Sequence, residues 1–152
     1  MKPLYGAIVL ACTPLLVVGN EAAYPTEKMA SFVLEKVDVT TLPAAIRPMA
    51  VKGKRTFGDY GYAAHELDEK KAVLDPPRGA PQISIEVLEA QKSGLYVCLN
   101  SPSAKNASRF QRVFLLKLKN SNGLLKGHET WKEFDSCPAI GGAGDDSSSS
   151  SY

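Results

Sequence analysis

Alternating apolar and polar positions in the second half of the chain predict a series of β-strands. Four predicted strands occupy residues 82–88, 95–99, 110–119 and 124–128. Residues 131–137 are the candidate for a fifth strand. Asn122 and Gly123 lie between two apolar runs, and an Asn-Gly pair in that position is typical of a tight hairpin. We therefore expect four or five antiparallel strands in this half of the chain.

The residues before these strands predict a helix. Residues 59–74 contain strong helix formers, among them Ala63 and Glu66, and the stretch ends at the prolines that follow Asp75. A shorter helix is indicated at residues 27–37. A helix followed by antiparallel strands is the order of an α+β domain. We therefore predict one helix packed on a four- to five-stranded antiparallel sheet.

Residues 1–19 contain, in this order, the basic start, the apolar run and the small final residue of a secretory signal peptide. Lys2 precedes an almost uncharged apolar run that ends at Gly19. This run is shorter than the roughly 20 apolar residues that cross a bilayer. We therefore predict cleavage after Gly19 and a soluble, secreted product without a membrane partner. The alternative is an uncleaved anchor or a buried N-terminal strand.

Secretion changes how the cysteines are interpreted. Removal of the signal peptide removes Cys12 and leaves Cys98 and Cys137, for which one disulfide is expected in an oxidising compartment. The alternative is two separate buried thiols. Asn106 begins an Asn-Ala-Ser sequon, which predicts N-glycosylation on an exposed loop.

Composition divides the rest of the chain into three parts. Residues 20–55 end in the dibasic pair Lys54-Arg55, which indicates either a pro-region removed by a kexin-type protease or an ordinary pair of solvated charges. The working domain then covers residues 56–140. Residues 141–152 contain five consecutive serines and are predicted to be a disordered tail.

Strand parity brings three polar residues to one face of the predicted sheet. The apolar residues that flank Glu86 alternate toward the core, so Glu86 is expected on the uncovered face. If Val113 and Leu115 also join the core, Arg112 points to that same uncovered face, and His128 ends the strand after the hairpin. We therefore predict that Glu86, Arg112 and His128 converge there.

A carboxylate, a guanidinium and an imidazole are the groups that RNA cleavage by internal transfer uses. The carboxylate takes the proton of the ribose 2′-OH, the guanidinium neutralises the phosphate, and the imidazolium protonates the leaving oxygen. Glu89 is the alternative base, although its parity places it with the core. The simpler interpretation is a cross-strand ion pair between Glu86 and Arg112, with His128 at a solvated strand end.

Five segments carry a resemblance to a known family: Phe110-Gln-Arg-Val-Phe-Leu-Leu, Asn122-Gly-Leu-Leu-Lys-Gly-His128, Phe134-Asp-Ser-Cys137, Ile85-Glu-Val-Leu88 and Gly94-Leu-Tyr96. They resemble segments of the small microbial ribonucleases, both the fungal guanyl-specific enzymes and the bacterial barnase group. The resemblance implies that Glu86 is the general base, Arg112 the phosphate clamp and His128 the general acid. It implies no metal or other cofactor.

The chain departs from the pattern of that family, most clearly before the strand of Glu86. The fungal enzymes have a Tyr-Pro-His strand before the strand of the catalytic Glu, whereas residues 75–81 contain neither histidine nor tyrosine. Two functions therefore stay open. The first is a secreted, ribonuclease-like fungal virulence effector that cleaves RNA. The second is a non-catalytic effector of the same fold that binds a host protein or RNA, and we expect a monomer in both cases.

Charge bears on the choice of partner. Acidic and basic residues almost balance after Arg55, so the domain has no global attraction to RNA. A basic segment nevertheless contains Lys105, Arg109 and Lys126, which are the candidate RNA-binding residues. The alternative interpretation of this segment is the solvated face of a hairpin.

Overall fold

The computed structural model describes residues 24–102, 104, 109–119 and 123–140. Its regular elements are helix α1 (Met29–Lys36) and strands β1 (Ala63–Glu66), β2 (Lys71–Asp75), β3 (Ile83–Gln91), β4 (Gly94–Ser101), β5 (Phe110–Leu118) and β6 (Leu125–Glu129). The signal peptide, Cys12, Lys105, the Asn106 sequon, Asn122 and the serine tail lie outside the described residues.

The six strands form one antiparallel sheet in which each strand pairs with the next along the chain. The predicted fold, with one helix over residues 59–74 and four or five strands, is therefore wrong in its helix and in its strand number. Four predicted strands correspond to β3, β4, β5 and β6. Residues 131–137, the candidate fifth strand, contain no strand.

The predicted helix fails because tertiary burial overrides local helix propensity in this segment. Ala72 and Leu74 alternate with more exposed residues in β2, and both are buried where they pair with Ile85 and Ile83 of β3. Before β2, the Asp68 carboxylate accepts hydrogen bonds of 2.7 and 2.8 Å from the backbone N–H groups of Lys70 and Lys71. This side-chain contact forms the turn between β1 and β2.

Helix α1 falls within the shorter helix predicted at residues 27–37. Met29, Ala30, Val33 and Leu34 are buried, and their spacing places them on one side of the helix. At Val37 the chain becomes extended and forms a parallel bridge to Leu125 of β6. Helix α1 therefore packs on one side of the sheet, which we call the helix face.

The main hydrophobic core lies between the helix face and residues 29–46. As parity predicted, Ile83, Ile85 and Val87 of β3 point into it. The predicted pro-region contributes seven buried apolar side chains to this core, which are Met29, Val33, Leu34, Val37, Val39, Leu42 and Ile46. Residues 29–46 and the six strands therefore form one folded unit.

The dibasic pair is part of the same unit. The Arg55 guanidinium forms an ion pair with Asp38, whose side chain is wholly buried. The Arg55 N–H donates to Asp59 and the Arg55 carbonyl accepts from the Val39 N–H, each at 2.8 Å. Cleavage after Arg55 stays a prediction, and in this fold it requires these contacts to open.

The buried Asp38 carboxylate predicts a loss of stability in acid. Burial raises its pKa, but hydrogen bonds from Thr40 and Arg55 together with the Arg55 charge outweigh this effect, so the pKa lies below the ordinary value of 3.8. A carboxylate that is more acidic in the folded chain stabilises that state above pH 3.8, and this contribution is lost as the pH falls through the folded-state pKa. We therefore expect the free energy of unfolding, measured in urea, to fall from pH 6 to pH 3.

The variant Asp38→Asn tests this assignment. It should be less stable than the wild type at pH 6 and should lose less stability on acidification. Some acid dependence should persist, because the hydrogen bonds of Arg55 and Thr56 to Asp59 and that of Lys132 to Glu89 also lower the pKa of those carboxyls. An equal loss in both proteins would contradict the assignment.

Candidate functional site

The face of the sheet opposite α1, which we call the outer face, carries two rows of side chains. Residues that pair across strands share a face. One row joins Glu86, Cys98 and Val113. The other joins Glu89, Tyr96, Leu115 and His128. Glu86 and His128 therefore lie on the same face, as the sequence predicted.

Arg112 does not share that face. It pairs with Leu99, which pairs with Ile85, so the register places it on the helix face. The prediction assumed that Val113 points into the main core, but Phe114 occupies the core and Val113 packs on the other side. Strand parity did not show which face of β5 lies in the main core, because apolar residues occupy both sets of alternate positions in this strand. The structure therefore does not bring Glu86, Arg112 and His128 together.

Glu86 and His128 are also far apart within the outer face. They lie on β3 and β6, which are separated by three strand spacings, or about 14 Å. The Glu86 carboxylate pairs at 3.2 Å with Lys71 of β2, on the side away from β6. A general base and a general acid must both reach the same phosphodiester. Their catalytic roles stay predictions, but this arrangement gives them no shared site.

Glu89 points to the outer face because of an irregularity in β3. The register shifts between Val87 and Glu89, which reverses the parity that sequence reasoning gave to Glu89. Its carboxylate accepts hydrogen bonds of 2.6 Å from Lys132 and 2.5 Å from Gln91. These contacts, first that of Lys132, lower the pKa of Glu89. The lowered pKa makes Glu89 a weaker base, and its contacts make it an anchor for the chain after β6.

The predicted disulfide between Cys98 and Cys137 is present and joins β4 to the chain after β6. Both cysteines are buried in a second hydrophobic cluster with Val113, Tyr96 and Phe134. The rings of Tyr96 and Phe134 lie 5.6 Å apart. This cluster holds residues 130–140, which we call the outer segment, against the outer face.

Further contacts fix the outer segment at both ends. The Lys132 ammonium lies 4.4 Å from the ring centre of Tyr96 and 5.0 Å from that of Phe134. At the other end, Gln111 and Ile140 exchange two backbone hydrogen bonds of 2.8 Å. The Gln111 side chain donates to the Pro138 carbonyl at 2.9 Å. The segment thus leaves the sheet at the end of β6 and returns to β5 at Gln111.

A groove of about 560 Å³ lies between the outer segment and β5. It is lined by Arg112, Val113, Glu129, Thr130, Trp131, Lys132, Glu133, Phe134, Asp135, Cys137, Pro138 and Ala139. Trp131 is 99% exposed at this groove. Trp131 was predicted only as the start of a candidate fifth strand, and the groove was not predicted from the sequence. The available signal was a single tryptophan among charged residues.

The two described candidate RNA-binding residues, Arg109 and Lys126, lie near opposite ends of β5. Arg109 is exposed just before β5, whereas Lys126 is exposed on β6 opposite Lys117, near the far end of β5. Arg109 and Lys117 are eight positions apart, which corresponds to about 27 Å along a strand. Lys105 lies outside the described residues. Arg109 and Lys126 therefore lie too far apart to contact the same phosphate group.

Comparison with protein-family models, curated proteins and solved structures finds no match for this chain. The ribonuclease resemblance therefore stays a prediction. No helix among the described residues is long and apolar enough to span a membrane. The class that the fold and site define is an antiparallel-sheet protein with a groove bounded by a disulfide-tethered segment.

Proposed function

We propose that this chain is a secreted, non-catalytic binding protein, of the effector type, that holds a protein partner in the groove beneath the outer segment. The observation that carries the proposal is Trp131, which is 99% exposed at the groove. Tryptophan is enriched among the residues that dominate the energy of protein interfaces. It supplies a large apolar surface and one hydrogen-bond donor to a partner.

The groove is fixed by contacts that do not need a partner. The disulfide Cys98–Cys137 fastens one wall to β4, and Lys132 is held by Glu89 and by the rings of Tyr96 and Phe134. A binding site that is already ordered loses less conformational entropy on association. These contacts support a binding role for the outer segment, although it has no regular secondary structure.

The charge of the groove favours a protein over RNA. Three acidic residues line it, Glu129, Glu133 and Asp135, against two basic residues, Arg112 and Lys132, and Lys132 is already paired with Glu89. A phosphate backbone carries a dense negative charge that such a surface repels. A protein partner instead presents apolar, aromatic and basic groups that fit this lining.

A non-catalytic role is also supported by the position of the candidate catalytic residues. The carboxylate of Glu86 is engaged by Lys71, His128 lies three strands away, and Arg112 belongs to the other face. The proposed protein binding therefore needs only the groove, whereas RNA cleavage would need Glu86, Arg112 and His128 to reach one phosphodiester.

The variant Trp131→Ala should lose the partner. We expect the immobilised wild-type protein to retain a protein from a host extract, and Trp131→Ala to bind it about 30-fold more weakly, as for the loss of a central interface residue. Leu67→Ala is the matched control, because Leu67 is also a large exposed apolar residue, 62% exposed, in the turn between β1 and β2. Quantitative mass spectrometry of the retained proteins, followed by titration of the purified partner, measures the difference.

Two results would contradict the proposal. The first is equal affinity of the purified partner for the wild type, Trp131→Ala and Leu67→Ala. The second is cleavage of homopolymeric RNA that leaves 2′,3′-cyclic phosphate ends and disappears in Glu86→Gln and His128→Ala. The second result would restore the ribonuclease hypothesis.

A further inference from the structure

A loop between the core residues Ile46 and Phe57 projects into solvent. Residues 49–55 are all exposed, and they include the large apolar side chains of Met49 and Val51, which are 81% and 48% exposed. A Cβ atom added to Gly53 would meet no atom within 4 Å, so open space surrounds this part of the loop. Residues 47–55 contain no acidic residue, and we call them the basic loop. Their basic residues are Arg47, Lys52, Lys54 and Arg55.

Contacts within the protein give the basic loop an ordered shape. The Lys54 N–H donates to the Val51 carbonyl at 3.1 Å and closes a tight turn, in which Gly53 has a φ of 86°. The Val51 N–H donates to the Tyr60 hydroxyl at 3.1 Å. The Lys54 ammonium lies 5.5 Å from the centre of the Tyr60 ring. The backbone of the loop is therefore held in place while Met49 stays in water.

Exposed apolar side chains among cations match the chemistry of an anionic membrane surface. Lipid phosphates and carboxylates attract lysine and arginine, and each such residue near the surface strengthens binding by roughly fivefold. Beneath the headgroups, the boundary with the acyl chains accepts apolar side chains. A projecting tip with open space around it fits a surface that it can enter. The acidic face of another protein would attract the lysines but would leave Met49 in a polar surrounding.

We propose that the basic loop docks on an anionic lipid membrane. Met49 and Val51 enter the boundary between headgroups and acyl chains, while Lys52 and Lys54 contact lipid phosphates. The expectation of no membrane partner concerned segments that span a bilayer, and a loop that lies on its surface needs no such segment. The groove lining includes no residue of the basic loop, so this proposal is independent of the proposed function.

Co-sedimentation with lipid vesicles measures this contact. The chain that begins at Asn20 is mixed with vesicles of phosphatidylcholine alone, or with vesicles in which about one third of the lipid is phosphatidylserine. We expect binding to the anionic vesicles to be at least about tenfold tighter, because two exposed lysines face the lipid. This binding should weaken as salt is raised, because exposed charges are screened.

A first double variant tests the apolar part of the contact. Met49→Ser/Val51→Ser should bind anionic vesicles about tenfold more weakly, because these side chains no longer gain from burial in the lipid. Its urea transition should match that of the wild type, since both side chains are exposed in the folded chain. Leu67→Ser is the matched control, because Leu67 is an exposed apolar residue outside the basic loop. It should bind vesicles like the wild type.

A second double variant tests the charged part. Lys52→Gln/Lys54→Gln should also weaken binding to anionic vesicles about tenfold. Lys70→Gln/Lys117→Gln is the matched control, because both lysines are exposed, lie outside the basic loop and change the net charge equally. This control should bind within about twofold of the wild type, because exposed charges far from the lipid are largely screened.

Several outcomes would overturn the membrane proposal. They are the absence of vesicle binding, equal binding to both vesicle compositions, and wild-type affinity of Met49→Ser/Val51→Ser. Trp131→Ala should bind vesicles like the wild type, and a loss of binding in that variant would assign the membrane contact to the groove instead. If Met49→Ser/Val51→Ser loses a protein retained from a host extract while no vesicle binding occurs, the basic loop binds a protein and the membrane proposal is wrong.

Discussion

A chain that begins at Thr56 is expected to remain unfolded, whereas one that begins at Asn20 folds. Removal of residues 20–55 takes seven buried apolar side chains from the main core, namely Met29, Val33, Leu34, Val37, Val39, Leu42 and Ile46. Burial of one such side chain contributes roughly 1.5–3 kcal/mol. The combined loss is of the order of the whole net stability of a domain, about 5–15 kcal/mol. Circular dichroism and urea denaturation of the two purified proteins measure the difference.

The same truncation also exposes the free edge of β6. In the full chain, the Leu125 carbonyl accepts from the Asp38 N–H and the Gly127 N–H donates to the Thr41 hydroxyl, each at 2.8 Å. Without these partners, β6 presents unpaired backbone groups, which favour aggregation. A cooperative urea transition of the Thr56 chain at the midpoint of the longer chain would contradict this prediction.

Cleavage after Arg55 is a different experiment from removal of the segment. If a kexin-type protease cuts the purified protein at that bond, residues 20–55 should stay bound, because the core contacts of Val33 and Ile46 do not depend on that peptide bond. The two fragments should then elute together in gel filtration and separate only in denaturant. The predicted pro-region would in that case act as a permanent part of the fold.

The sequence predicted those parts of the fold in which one signal dominates. Ile83, Ile85 and Val87 alternate with polar residues, and this pattern placed β3 and its buried face correctly. The helix predicted at residues 59–74 is wrong because the helix formers in this segment give only a weak local preference for helix. The pairing of Ala72 and Leu74 with β3, a contact that local propensity does not contain, decides their structure.

The candidate site was harder to predict because it depends on register and on an irregular segment. Glu89 lies on the outer face because the register of β3 shifts, and no residue type in the sequence marks this shift. Arg112 lies on the helix face because Phe114, and not Val113, packs in the main core, and the apolar residues at both sets of alternate positions in β5 did not show which set is buried there. The Cys98–Cys137 disulfide was predicted from secretion chemistry. The exposed position of Trp131 was not predicted, because the path of the outer segment depends on where both cysteines lie in three dimensions.

Loss of the disulfide is expected to have the second largest effect on stability. A cross-link between residues 39 positions apart stabilises a folded protein by about 4 kcal/mol in the loop-entropy model. We therefore expect the double variant Cys98→Ala/Cys137→Ala to show a correspondingly lower free energy of unfolding in urea. Reduction of the wild type should have a similar effect, which serves as the control for the loss of the sulfur atoms. A change below about 1 kcal/mol would mean that the loop-entropy model does not apply here.

The double variant should still fold under native conditions, because the main core lies on the helix face and does not include the cysteines. The loss should be concentrated in the outer segment, where Val113, Tyr96 and Phe134 surround the disulfide. Amide hydrogen exchange should therefore accelerate in residues 130–140 more than in β3. Because this segment is a wall of the groove, the same variant should bind the partner more weakly while its sheet stays folded. Uniform acceleration across the sheet would instead mean that the disulfide supports the whole fold.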